Sequence, residues 1–95
     1  MPKSNKTVVV FHMTGCSACT DYMPKFKRVA VKYRNHVPIK HVHYTGGKDT
    51  TILDKYKIEA FPTTVILDAK EKAILKVKGS LPLTEITKIF EQAAR

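Results

Sequence analysis

Two cysteines are the residues of this chain whose type and spacing most directly suggest chemistry. They lie three positions apart in Cys16-Ser17-Ala18-Cys19, shortly after an apolar run that begins at Thr7. At the start of a helix, unpaired backbone N–H groups and the helix dipole stabilise a thiolate, which is the reactive form of cysteine. Cys19 is about one turn further along, so its sulfur lies within reach of Cys16. We therefore predict a pair that exchanges a dithiol for a disulfide.

In this exchange the thiolate of Cys16 is the nucleophile that attacks a substrate disulfide, and Cys19 resolves the mixed disulfide. The same steps in reverse oxidise a dithiol, so the spacing does not fix the direction. The redox-active disulfide of Cys16 and Cys19 is the only redox group that this chemistry needs, and we expect no other cofactor.

Two other interpretations of the cysteines stay open. The pair can be inert, either as buried thiols or as a disulfide that only stiffens a turn. A structural disulfide would contribute little in the cytosol, because thiols are kept reduced there. The pair can also bind metal. Zinc takes four ligands, no second Cys-x-x-Cys is present, and four histidines are the other candidate ligands: His12, His36, His41 and His43. We expect no metal site within one chain, and a zinc or iron–sulfur site shared between subunits is the alternative.

Apolar periodicity predicts the elements that position this pair. Thr7 to His12 is a continuous apolar run, typical of a strand buried on both faces. Cys16 to about Arg34 carries the apolar stripe of an amphipathic helix, in which Pro24 should produce a kink by removing one backbone hydrogen bond. A strand, a short helix, two strands and a last helix follow: Ile39–Tyr44, a helix capped by Asp49 or Thr50, Thr63–Leu67 opened by Pro62, Lys72–Lys78, and a helix marked by Leu83, Ile86, Phe90 and Ala93.

The resulting order, β-α-β-α-β-β-α, predicts an α/β fold with a four-stranded mixed sheet flanked by helices. The first strand–helix–strand unit requires parallel pairing through a right-handed crossover, and the later hairpin adds an antiparallel edge. The length of 95 residues fits one domain, so we expect a single domain over residues 1–95 with a core from about 7 to 94.

The charge balance gives a second hypothesis about function. Seventeen Lys and Arg residues against eight Asp and Glu residues give a formal net charge of +9, which attracts polyanions and acidic proteins. The basic residues are dispersed and no basic run with interleaved aromatic residues is present, which argues against a dedicated nucleic-acid site. The alternative to an enzyme is a binding module that docks a protein or nucleic-acid partner on this basic surface.

The N-terminal sequence bears on location. It is basic up to Lys6 and apolar from Thr7, but the apolar stretch is short and no small-residue cleavage site follows. No apolar run approaches the roughly 18 residues of a membrane span. We therefore expect a cytoplasmic protein, monomeric and without membrane contact.

Several motifs together resemble the thioredoxin superfamily, in a minimal form like that of glutaredoxins and short thioredoxin-like proteins. They occur in the expected order over residues 7 to about 94: the strand Val8–Phe11, the Cys16–Cys19 pair, Pro24, Phe61-Pro62-Thr63, and Gly79. Only six residues precede the first predicted strand, so the resemblance implies a thioredoxin-like fold that lacks the N-terminal strand and helix of full thioredoxins.

The resemblance implies a protein-disulfide oxidoreductase that acts as a reductant. It implies a cis peptide bond before Pro62, which faces the cysteines, and a substrate groove formed by Gly15, Phe61 and Gly79. Ser17 and Ala18 would shape the site and its redox potential. Protein disulfides would be the substrates, and the electron donor would be a partner such as a thioredoxin reductase or glutathione.

The sequence also departs from this family. The usual Trp-Cys-Gly-Pro-Cys is replaced by Gly15-Cys16-Ser17-Ala18-Cys19, and Val10 occupies the position of the buried aspartate of thioredoxins. The Gly-Gly-acid motif with which glutaredoxins bind glutathione is absent after the last strand, which favours thioredoxin-like disulfide reduction. His12, four residues before Cys16, has two interpretations: its ring packs where thioredoxins have an aromatic residue, or its protonated form stabilises the Cys16 thiolate.

Overall fold

The computed structural model describes residues 4–95, so residues 1–3 of the expected domain lie outside the described residues. The described part contains four strands and three helices in the predicted order. Their bounds are β1 Thr7–Met13, α1 Ser17–Tyr33, β2 Ile39–Tyr44, α2 Thr51–Lys55, β3 Thr63–Leu67, β4 Ala73–Lys78 and α3 Leu83–Ala93.

The four strands form one mixed sheet in the order β2-β1-β3-β4. β1 runs parallel to β2 and antiparallel to β3, and β4 is antiparallel to β3. The predicted fold class is therefore confirmed. Phe11 near the end of β1 lies opposite Thr63 at the start of β3. This register brings the start of α1 and the segment that contains Pro62 to the same edge of the sheet.

One face of the sheet carries most of the core. The helices α1 and α3 cover it. The rings of Phe26 on α1 and Phe90 on α3 pack together with their centroids 5.4 Å apart. Burying a side chain of this size contributes roughly 1.5–3 kcal/mol, so this face anchors α1 firmly. The buried members of this core are Val8, Val10, Tyr22, Phe26, Val29, Ala30, Val37, Ile66, Ile86, Ile89, Phe90 and Ala93.

The opposite face is covered by α2, which has five residues. Leu53 of α2 packs on Val9, Phe11, Val65 and Leu67 of the sheet. Burial of β1 and β3 on both faces explains why these two strands are continuous apolar runs rather than alternating ones. The edge strands β2 and β4 alternate instead, because one of their faces is exposed.

Some boundaries differ from the predicted ones by a residue. β1 extends to Met13 because this residue still pairs with Tyr44 of β2. β4 begins at Ala73 rather than Lys72, where the ladder to β3 is irregular between Ile66 and Leu67. At α2, Thr50 is the N-cap residue but makes no side-chain cap bond. None of the helices within residues 4–95 has the length and apolar character needed to cross a membrane.

Candidate active site

Cys16 is the N-cap residue of α1. Its backbone is extended, and its Sγ accepts the N–H of Cys19 at 3.2 Å. The preceding Gly15 has a φ of +79°, a conformation that glycine adopts without steric cost, and this turn leads the chain from β1 into the helix. The half-buried Cys16 sulfur therefore accepts a backbone N–H at the N-terminus of α1, the position at which the sequence predicts the nucleophile.

The Cys16 sulfur also faces the segment before β3. Its Sγ lies 3.5 Å from the carbonyl oxygen of Phe61, to which the thiol can donate. The peptide bond between Phe61 and Pro62 is cis, as the resemblance implied. The Phe61 ring stacks on Tyr44 with the centroids 5.9 Å apart, and both rings pack against the core on the α2 side of the sheet.

Cys19 has a different environment. It is only 3% exposed, and the structure holds both cysteines as free thiols. Burial, together with a side-chain hydrogen bond to Cys16, raises the pKa of Cys19 to about 11. A backbone hydrogen bond from Met13 opposes this increase in part. Cys19 therefore stays protonated at neutral pH, which agrees with the resolving role predicted for it.

A loop after β4 completes the site. Gly79 has a φ of +89°, and its N–H donates to the carbonyl oxygen of Pro62 at 2.7 Å. The next residue, Ser80, donates its hydroxyl to Asp21 on α1 at 2.7 Å. These two bonds connect the loop both to the Pro62 segment and to the helix of the cysteines. Sequence reasoning found Gly79 but not the Asp21–Ser80 contact, for which the sequence gives no local signal.

The two residues between the cysteines are the first two of α1. Ser17 is exposed and Ala18 is half-buried. Gly15 is likewise exposed. The structure thus places the predicted groove residues Gly15, Phe61 and Gly79 around one surface, while their roles toward a substrate stay predictions.

A model of the family described as Thioredoxin matches residues 1–92. The chain belongs to the thioredoxin family. Thioredoxin Y, a chloroplastic protein of Oryza sativa subsp. japonica, is 31% identical to it over 94 residues, which are 98% of this chain and 54% of that protein. The chain thus spans about half the length of this curated relative.

Solved thioredoxin structures share the fold. An exposed lipoprotein thioredoxin of Streptococcus pneumoniae has a TM-score of 0.81 at 16% identity, covering 95% of this chain and 86% of its own. The thioredoxin of Fasciola hepatica has a TM-score of 0.78 at 22% identity, covering 96% of this chain and 83% of its own. These likenesses concern the fold alone, and they agree with the thioredoxin-like architecture expected from the sequence.

About one helical turn after Cys19, this thioredoxin-family member has a buried hydroxyl pair that joins α1 to β3. The hydroxyls of Tyr22 on α1 and Thr64 on β3 share a hydrogen bond of 2.6 Å, and both residues are fully buried. Burial raises the pKa of Tyr22. Thr64 lies opposite Val10, the position at which the resemblance places an aspartate. Sequence reasoning missed this pair, whose only signal is a hydroxyl within the apolar stripe of α1.

His12 is part of a cluster of imidazoles. Its ring stacks on that of His43 at 4.6 Å and meets the edge of His41 at 6.2 Å. Burial lowers the pKa of His12, and the positive charges of His43, His41 and Lys27 lower it further. Because a neutral imidazole cannot stabilise a thiolate by charge, these contacts favour the packing interpretation of His12.

The histidine positions also bear on metal binding. Within residues 4–95 no three His, Cys, Asp or Glu side chains converge as metal ligands. The stacked rings of His12 and His43 are nearly parallel, with 9° between their planes, so their lone pairs do not point at a common centre. His36 lies in the turn after α1. The expectation that one chain holds no metal site stays a prediction.

Proposed function

We propose that this protein is a thiol–disulfide oxidoreductase that exchanges its Cys16/Cys19 dithiol with disulfides of other proteins, and that reduction is its physiological direction. The asymmetry of the pair carries the proposal. Cys16 is half-buried at a helix N-terminus with a donor to its sulfur, whereas Cys19 is buried with a pKa raised to about 11.

The proposed reaction balances without a further reactant. The Cys16 thiolate attacks one sulfur of a substrate disulfide, the substrate S–S bond breaks, and the departing substrate thiolate takes a proton. Cys19 then gives up its proton, its sulfur attacks the Cys16 sulfur, and the second substrate sulfur leaves as a thiol. The substrate gains two electrons and two protons, and the protein is left with a Cys16–Cys19 disulfide.

The surface around Cys16 suits an extended substrate segment. Phe61 and Tyr44 form a flat aromatic wall, and Gly79 lies close to the Pro62 segment without a side chain. We propose that a substrate cysteine reaches Cys16 over Gly15 and Ser17, with its neighbouring backbone beside Pro62. A thioredoxin reductase or glutathione would return the electrons.

An insulin-reduction assay with dithiothreitol tests the activity. We expect turbidity from wild type, none above background from Cys16→Ser, and a trapped mixed disulfide in Cys19→Ser. Ala30→Ser is the matched control, since it places a hydroxyl at another buried position of α1 and should keep activity. Full activity of Cys16→Ser would refute the proposal.

The direction is tested by equilibrating the pair with glutathione. Potentials in this class range from about −270 mV for reductants to about −120 mV for oxidants, with about 30 mV equal to 1.4 kcal/mol. We expect a value near the reducing end, and one near the oxidising end would reverse the assignment.

A cytoplasmic location stays a prediction, and the rice relative is named chloroplastic.

A lysine-lined groove supports a second function, the docking of an acidic partner. A cavity of about 540 Å³ is bordered by Lys55, Lys57, Lys72 and Lys76, with Glu71 the acidic member of its lining. Lys76 is held by the carbonyl oxygens of Tyr56 and Lys57. Such a field attracts acidic segments.

Binding of a poly-glutamate peptide at low and high salt tests this docking function. We expect salt-sensitive binding that is kept when both cysteines are serine and lost when the four lysines become glutamine. Tighter binding of single-stranded DNA than of poly-glutamate would assign the groove to nucleic acid instead. Equal binding of poly-glutamate by wild type and by the glutamine variant would refute the docking function.

A further inference from the structure

Three histidines lie together on the sheet face covered by α1, close to the redox pair. In the parallel ladder between β1 and β2, His43 lies directly opposite His12, and His41 lies opposite Val10. The spacing of parallel strands therefore brings the rings of His12 and His43 into a stack, with His41 against the ring of Phe26 on α1.

His43 also contacts the turn that carries the nucleophile. Its Nε2 and the Thr14 hydroxyl share a hydrogen bond of 2.8 Å, and the N–H of Thr14 donates to the carbonyl oxygen of Tyr44 at 3.1 Å. Thr14 is separated from Cys16 by Gly15 alone. The end of β2 thus holds this turn, residues 14–16, at two points, one of them through an ionisable side chain.

The same strand end supports the other side of the sulfur. Tyr44 stacks on Phe61, whose carbonyl oxygen faces the Cys16 Sγ. A change in the position of β2 at His43 and Tyr44 would therefore move both neighbours of Cys16, the turn at Thr14 and the Phe61 carbonyl.

Among residues 4–95, the charged groups that act on the rings of His12 and His41 are basic. His12 faces His41 and His43 on β2 and Lys27 on α1, and His41 also faces Lys27. Burial first, and these charges second, lower the pKa values of His12 and His41. A proton added to a stacked ring therefore meets repulsion rather than a compensating carboxylate.

We propose that His43 is a positioning residue for the redox pair: stacked on His12, it holds Thr14 and so fixes the turn that carries Cys16, and protonation of the stacked rings loosens that turn. The inference deepens the proposed function, because it concerns how the same nucleophile is presented. Acidification then slows the reaction of Cys16 more than the loss of thiolate alone explains.

The test measures the reaction of the reduced protein with the aromatic disulfide 5,5′-dithiobis(2-nitrobenzoate) from pH 5 to pH 8. Each rate is divided by the thiolate fraction, obtained from the absorbance at 240 nm. At pH 7 we expect Thr14→Val and His43→Phe to lower this rate about two- to tenfold, the effect of losing one ordinary hydrogen bond. The double variant should be no slower than the slower single variant, because both changes remove the same bond.

Two further variants make the test specific. Thr45→Val, which alters an exposed threonine directly after the end of β2, should react like wild type. His43→Gln, whose amide can replace the Nε2 contact but does not titrate, should keep the rate at pH 7 and lose the additional fall in acid. A Thr14→Val rate equal to that of Thr45→Val, or an unchanged acid fall in His43→Gln, would overturn the proposal.

The outcome is separable from that of the proposed function. The probe reports on Cys16 even if insulin is not reduced, and an active protein with no effect at Thr14 and His43 would refute the positioning role alone. Circular dichroism melting accompanies each variant. Thr14 is exposed, so its variant carries the test if His43→Phe does not fold.

Discussion

The surroundings of the two cysteines differ more than their spacing suggests. Cys16 is at the cap of α1, half-exposed, with a backbone donor on its sulfur and the Phe61 carbonyl beside it. Cys19 is turned into the buried stripe of the same helix that continues with Tyr22 and Phe26. Three residues rise only about 4.5 Å along a helix but rotate by most of a turn. Position at the cap or in the stripe, rather than the sequence motif, thus distinguishes the proposed nucleophile from the proposed resolving thiol.

The largest effect is expected for selective alkylation, which tests directly whether the different surroundings of Cys16 and Cys19 make one thiol react and protect the other. With a pKa of about 11, roughly one Cys19 in ten thousand is a thiolate at pH 7. A short pulse of iodoacetamide on the reduced protein should therefore modify Cys16 and leave Cys19 unmodified, as read by peptide mass spectrometry. In guanidinium chloride both cysteines should react. Equal labelling of both cysteines in the folded protein would break the comparison.

A smaller effect is expected from the hydroxyl pair on the buried side. Tyr22→Phe leaves the buried Thr64 hydroxyl without its partner, which should lower the free energy of unfolding by about 1–3 kcal/mol. The double variant Tyr22→Phe/Thr64→Val should regain much of this loss, because no orphan hydroxyl remains. Urea denaturation measures both, with Tyr33→Phe on the same helix as control. A double variant less stable than either single one would show that packing, not hydrogen bonding, explains the effect.

The smallest expected effect concerns pH and His12. The folded-state pKa values of His12 and His41 are lowered, so the unfolded chain, with imidazoles near 6.5, binds protons first as the pH falls. Their contribution to stability is complete above about pH 6.5 and is lost as the pH drops toward the folded-state values. Wild type should therefore lose more unfolding free energy between pH 7.5 and pH 5.5 than His12→Phe. An identical loss in both proteins would contradict the neutral, packed imidazole.

Much of the fold follows from local pattern. The apolar runs at Val8–Phe11 and Val65–Leu67 predict doubly buried strands, and the stripe through Phe26 predicts a helix on the sheet. Where prediction was off by a residue, as at Met13 and Lys72, a neighbouring strand decided the end of the element by pairing or by an irregular register. Such pairing is not encoded in the periodicity of either strand alone.

The site divides in the same way. The amino-acid sequence alone predicts the Cys-x-x-Cys at a helix start, the proline before β3 and the glycine after β4, since each depends on the chemistry or backbone preference of one residue. Three features follow only from how distant elements pack: the raised pKa of Cys19, the Tyr22–Thr64 hydrogen bond and the link from His43 to Thr14. These depend on burial and on contacts between residues 29 and 42 positions apart, which no local spacing records. The cysteine pair could therefore be predicted from the sequence, whereas the difference in burial between its two sulfurs results from tertiary packing.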